Sequence, residues 1–224
     1  MPFSKEPSAT GMAARTALIL FLFVVVFTAI LSTIQGLTEP AIRAAAAEEE
    51  MRAINETLPR SLYDNDLLQD TLPLPPTPEL GQDQPSRIYR ARLAGQPSAV
   101  ILQVVAPDGY SGKIHMLVAV RVDAQHAGEI AGVRVTRHKE TPGLGDYVEA
   151  KKDRNKSSPW IAQFNELSFA KRPDKDWKVK KDGGQFDAYA GATVTARAVV
   201  KAVRKALNWA NTHRDQLLAD SDRK

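Results

Sequence analysis

The distribution of apolar and polar residues divides the chain into regimes with different predicted structures. Residues 17–37 are 21 consecutive positions without a formal charge. At about 1.5 Å rise per residue such a helix spans about 31 Å, the thickness of a bilayer's hydrocarbon layer. A retained transmembrane helix is predicted, because a cleaved signal peptide has an apolar core of about 7 to 15 residues and no small-x-small site follows closely. Thr38, Glu39 and Pro40 are predicted to stop this segment and start a second, Ala/Glu-rich helix that ends near Leu58. Between residues 71 and 85, five prolines in fifteen positions predict an extended surface loop with no regular structure.

From Ser86 onward the period changes to two. Alternating or β-branched runs at 88–93, 99–105, 113–122 and 129–136 predict four strands, and the short Gly- and Pro-containing turns between them imply antiparallel neighbours. Residues 109–112 read as a hairpin turn. Residues 138–145 read as a loop fixed by Pro142, Gly143 and Gly145. Trp160, Phe164, Leu167 and Phe169 are assigned to the core. A short strand is predicted at 177–180 with Lys178 and Lys180 exposed. The last helix runs from about Val194 to His213, with Ala198, Ala202, Ala206 and Ala210 on one face. The expected fold class is α+β: one N-terminal transmembrane helix, then a twisted antiparallel sheet with flanking helices on one side. The expected division is an N-terminal segment (1–16), the membrane helix (17–37), a helical stalk with the Pro-rich loop (38–85), the sheet domain (86–215) and a tail (216–224).

Length and composition narrow the function. A chain of 224 residues holds one domain and an anchor. The sequence has no cysteine, which excludes disulfides, thiolate nucleophiles and cysteine-ligated clusters, so that if the chain carries electrons a flavin is the expected redox centre. Four histidines without ligand spacing predict no metal site. The net charge of +4 does not make a nucleic-acid footprint, since the basic runs at 151–156 and 171–181 are broken by acids and proline and read as solvated loops. No Ser/His/Asp grouping, paired-carboxylate motif or phosphate loop is present, so no catalytic residues are assigned. Lys5 and Arg15 precede the apolar span while Glu39 and Glu48 to Glu50 follow it. That bias predicts a cytoplasmic N-terminus and a main domain on the far side of the membrane, the periplasm of a bacterial inner-membrane protein.

The most informative segment is Tyr-Ala-Gly-Ala-Thr-Val-Thr at 189–195, which runs into the last helix. Ala190, Gly191 and Ala192 allow a ligand close to the backbone, and Thr193 stands where the first free amides of a helix point outward. Such a start favours an anion such as phosphate. The same residues also describe an ordinary N-cap. In the upstream loop, Glu140 and Thr141 offer an acceptor and a hydroxyl, and Leu144 an apolar contact.

Three motifs, GYSGKI at 109–114, HKETPGLG at 138–145 and WKVKKDGGQFDAYAGATVT at 177–195, resemble in this order the FMN-binding domain family. Within it, the chain is similar to the G subunits of Rnf electron-transport complexes, with the C subunits of sodium-pumping NADH:quinone reductases as near relatives. Ala190 departs from the pattern, standing where the family has Ser or Thr. The resemblance implies FMN joined through its phosphate to Thr193, with Thr195 as the alternative acceptor, and a flavin lined by Glu140, Thr141 and Leu144. It also implies a flavin transferase, other subunits of a membrane complex as partners, and electron relay between ferredoxin and NAD without a substrate of the chain's own. A periplasmic interaction domain that keeps the fold without the cofactor is the alternative in another class.

Overall fold

The computed structural model describes residues 9–218; Lys5 and most of the expected tail lie outside the described residues. Two compact units divide at Glu49/Glu50. In the first, residues up to Glu49 belong to helix α1 (Ala9–Thr57), long and apolar enough to cross a membrane, with its apolar side chains exposed. The predicted break at residues 38–40 is not made. Pro40 sits inside α1. A proline there removes one amide donor and leaves the carbonyl four residues back, that of Gly36, without its helical partner. The helix continues through that loss, and Thr38 Oγ1 donates to the Ile34 carbonyl at 2.8 Å.

The second unit is an antiparallel meander, β1 (Thr71–Leu74), β2 (Ser86–Leu93), β3 (Gln96–Gly109), β4 (Gly112–Arg121) and β5 (Ile130–Arg137), in that spatial order. The α+β class holds, with all four predicted strands present: β2 and β3 run longer than expected, and β4 and β5 keep the expected length shifted by one residue. Alternate residues point to opposite faces of a strand. Ile88, Val100, Leu102, Val104, Met116 and Val118 face one way, where they pack with Val199, Val203 and Leu207 of α2 (Thr193–Thr212). Tyr89, Ala91, Ile101, Leu117 and Ala119 face the other way and meet Ile54, Leu58, Tyr63 and Leu67. The sheet is therefore covered on both faces, not one. The second cover is the end of α1 and the segment after it, whose apolar residues cannot be assigned to a sheet face from their own spacing.

Two further expectations change. The Pro-rich segment is ordered: β1 pairs with β2, with Leu72 opposite Ile88, and Leu80 in the following 3₁₀ turn is fully buried. Proline is tolerated in an edge strand because its missing N–H can face solvent, and Pro73 is exposed there. The strand predicted at 177–180 is replaced by two 3₁₀ turns and a single parallel bridge, Val179 to Phe186. Trp177 and Phe186 are buried beside Phe164, while Lys178 and Lys180 are exposed as expected.

Candidate functional site

Helix α2 begins at Thr193, and its N-cap is Ala192, which has no side-chain acceptor. The first amides of the helix are thus left for an external group, as expected of an anion site. Gly191, with φ +86°, turns the chain into the helix through a conformation that side-chain-bearing residues avoid. The approach segment is braced from below. Tyr147 Oη donates to the Ala192 carbonyl at 3.3 Å, and the Tyr147 ring lies against Tyr189 with centroids 4.3 Å apart. Trp160 meets Tyr147 edge-on at 5.3 Å. Burial pushes the Tyr147 phenol up to about 12, so it remains a donor at neutral pH.

Tyr189 Oη in turn donates to Asp153 Oδ1 at 2.7 Å. Asp153 is fully buried, although it lies in the basic run read as a solvated loop. Burial alone would raise its carboxyl. Donors from Trp160 N at 2.5 Å, Tyr189 Oη and Asn155 N outweigh that and hold it below the usual carboxylate range.

The loop at 138–145 folds onto this helix start. Glu140 is buried, with both carboxylate oxygens engaged: Thr195 Oγ1 donates to Oε2 at 2.5 Å and Ser111 N donates to Oε1 at 3.0 Å. One side chain thereby ties together the β3–β4 hairpin tip, the loop and α2. The approach needs glycines on both sides. A Cβ on Gly145 would come within 2.8 Å of Glu140 Oε2, and one on Gly109 within 2.9 Å of Oε1. His138 Nδ1 accepts from Glu140 N at 3.1 Å, which selects the Nε2–H tautomer that can donate to Glu149 at 3.2 Å. Leu144 is exposed and close to the motif, its Cδ1 3.2 Å from where a Cβ on Gly191 would stand. Thr141 is exposed, and its carbonyl accepts the Leu144 and Gly145 amides. Ala190 and Gly191 are exposed, Ala192 is buried and Thr193 half-buried.

The two threonines differ sharply. Thr195 is buried and its hydroxyl is consumed by Glu140. The Thr193 hydroxyl has no protein partner among the described residues. The structure thus gathers the three sequence motifs at one place, with Thr193, Thr141, Leu144, Ala190 and Gly191 facing outward and Glu140 and Thr195 facing inward. Tyr147 and Asp153 join the site without having been expected there. Their sequence signals, an aromatic shortly after a glycine loop and an acid inside a basic run, have many commoner explanations.

Residues 109–208 match the FMN-binding domain family and residues 11–57 match the RnfG N-terminal region. A G subunit of an ion-translocating oxidoreductase complex from Pseudomonas aeruginosa (strain UCBPP-PA14) is 48% identical over 208 residues, 93% of each chain. Proteins of the same description from Shewanella loihica and Vibrio cholerae serotype O1 are 39% and 38% identical, over 91% of this chain and 92% of theirs. Identity at this level over nearly the full length of both chains places this protein in the family of G subunits of ion-translocating oxidoreductase complexes.

Proposed function

We propose that this chain is the membrane-anchored flavoprotein subunit of an Rnf-type complex and carries FMN as a phosphoester on Thr193. The observation that carries the assignment is the contrast between the two hydroxyls: Thr193 Oγ1 is unpartnered at a helix start whose amides are open, whereas Thr195 Oγ1 is locked inside. The α2 amides and the helix dipole stabilise the phosphate's negative charge there. A flavin transferase would attach the group from a flavin dinucleotide: Thr193 Oγ1 would bond to the FMN phosphorus as the donor's pyrophosphate bond breaks, and the nucleoside monophosphate would leave with the hydroxyl's proton taken up by solvent. Bound FMN supplies one- or two-electron transfer. The protein's own part is to fix that cofactor, with Leu144 and Thr141 at its outward side and Glu140, Thr195 and Tyr147 holding the attachment segment from within.

The wider reading goes beyond the relatives' description, which is of an ion-translocating oxidoreductase complex: electrons pass between ferredoxin and NAD through neighbouring subunits, coupled to ion movement, with the flavin domain on the periplasmic face. A covalent link suits that compartment, where a lost flavin is not replaced. Intact-mass analysis of the chain coexpressed with a flavin transferase tests the assignment. The expected result is an added mass of one FMN less one water in the unaltered protein and in Thr193→Ser, and none in Thr193→Ala; retention of that mass by Thr193→Ala overturns it.

A further inference from the structure

Among the described residues of the unit from Glu50 onward, the large apolar side chains left exposed are Leu93, Tyr110, Leu144 and Val194. Two of the four border the attachment segment directly, and Tyr110 is joined to it through Glu140. Val194 follows Thr193 directly. Leu144 reaches Gly191. Tyr110 is held between Gly109 and Ser111, both of which abut the Glu140 carboxylate, and that carboxylate's other oxygen holds Thr195. Exposed apolar groups scattered singly need no explanation, but their concentration around one point marks a contact surface.

Tyr110 is the most exposed of them, at 68%. Its side chain makes no hydrogen bond, ring contact or cation contact among the described residues. The backbone beneath it is nevertheless fixed: Gly109 pairs with Gly112 across the hairpin, and the Ser111 amide is bonded into the buried node. An unpartnered ring on a fixed tip is presented to something outside the chain. Leu144 lies one residue before Gly145 and Tyr110 one residue after Gly109, and these two glycines pack close to different oxygens of the one Glu140 carboxylate.

We infer that Tyr110 is the second wall of a seat for the isoalloxazine ring, with Leu144 and Val194 forming the rest. This rests on FMN being tethered at Thr193, and the tether selects the occupant: a planar heterocycle on a ribityl chain at that residue is the group always within reach. Planar heterocycles stack on aromatic side chains through their π faces, without needing hydrogen bonds. Such a seat limits the ring's swing and shields one of its faces from water.

The test uses the full-length chain in detergent, coexpressed with a flavin transferase, with flavin mass and flavin fluorescence read on the same sample. A phenol stacked on a flavin quenches its excited state by donating an electron, and a phenyl ring does not. Tyr110→Ala and Tyr110→Phe are therefore expected to raise fluorescence per attached flavin severalfold, with Tyr110→Trp restoring the quenching. Tyr110→Ala should also add a fast component to the anisotropy decay, and Leu144→Ala a similar but smaller one. Tyr110 is exposed, so folding and attachment should be retained. Unchanged fluorescence and anisotropy in Tyr110→Ala that still carries the flavin mass overturn the seat while leaving Thr193 intact. If Tyr110→Ala instead weakens only assembly with other subunits, the tip is a protein contact and the inference fails. Absence of flavin mass from the unaltered chain overturns both this inference and the reading on which it rests.

Discussion

Thr195 Oγ1 donates to Glu140 Oε2 at 2.5 Å, across 55 residues of sequence and with both side chains buried. The bond converts two residues that look like ligand groups into the frame around one. Removing the hydroxyl leaves a buried carboxylate with a missing donor, a penalty of about 1–3 kcal/mol. Thr195→Val is therefore expected to lower the melting temperature by several degrees while leaving Thr193 able to accept FMN, and Thr195→Ser should recover most of the loss. Thermal denaturation of these variants together with Glu140→Ala forms a double-mutant cycle, in which contact predicts a coupling of about 0.5–3 kcal/mol. Strict additivity would show that the two side chains do not act as a pair.

The Pro-rich segment gives a second test, because sequence and structure disagree about it. A surface loop tolerates truncation of its side chains, whereas a fully buried Leu80 does not. Leu80→Ala should cost about 2–5 kcal/mol. Pro73→Ala, at an exposed edge position, should cost much less. Equal and small effects in chemical denaturation would return the segment to a loop.

What is legible in the sequence depends on how far each signal reaches along the chain. Strands β2 to β5 show in the alternation because a sheet face repeats every second residue, and the α2 start shows to within one residue in the small-residue run before it. Strand β1 is hidden because its proline density suggests a loop, although only the donor side of an edge is forbidden to proline. The second cover of the sheet is hidden for a different reason: Ile54, Leu58 and Leu67 carry no mark of which face they will meet. At the site, Thr193 and the glycines are visible as local backbone requirements. The inward turn of Glu140 and Thr195 is not, since the same carboxylate and hydroxyl suit a ligand or each other until the fold brings them together.

Asp153 should shape the acid side of the stability profile. Its folded carboxyl titrates below the ordinary value of 3.8, burial being outweighed by the hydrogen bonds it accepts. A depressed folded value means that its contribution is complete above about pH 4 and is lost as pH falls toward the folded value. Asp153→Asn should lower the melting temperature at neutral pH and flatten its decline below about pH 4, because the charge that must be neutralised is gone. Melting curves between about pH 2.5 and 7 compare the two, and parallel acid limbs would mean that other carboxylates, such as Asp123 and Asp182, dominate acid unfolding.

The orientation of the anchor is the remaining expectation with a direct readout. Arg15 stands just before the apolar span, and Glu39 and the Glu48 to Glu50 run stand after it, with Lys5 adding to the same bias in the sequence. Cationic residues are retained on the cytoplasmic side, while acids contribute little. A phosphatase that is active only outside the cytoplasm, fused after the last residue, should therefore be active, and a fluorescent reporter that matures only in the cytoplasm should be dark. Replacing Lys5 and Arg15 with Gln while adding lysines at residues 39 and 48 should shift some of the population the other way, because the bias then favours the opposite end. Fluorescence from the unaltered fusion would put the flavin domain in the cytoplasm and remove the compartmental reason for a covalent link.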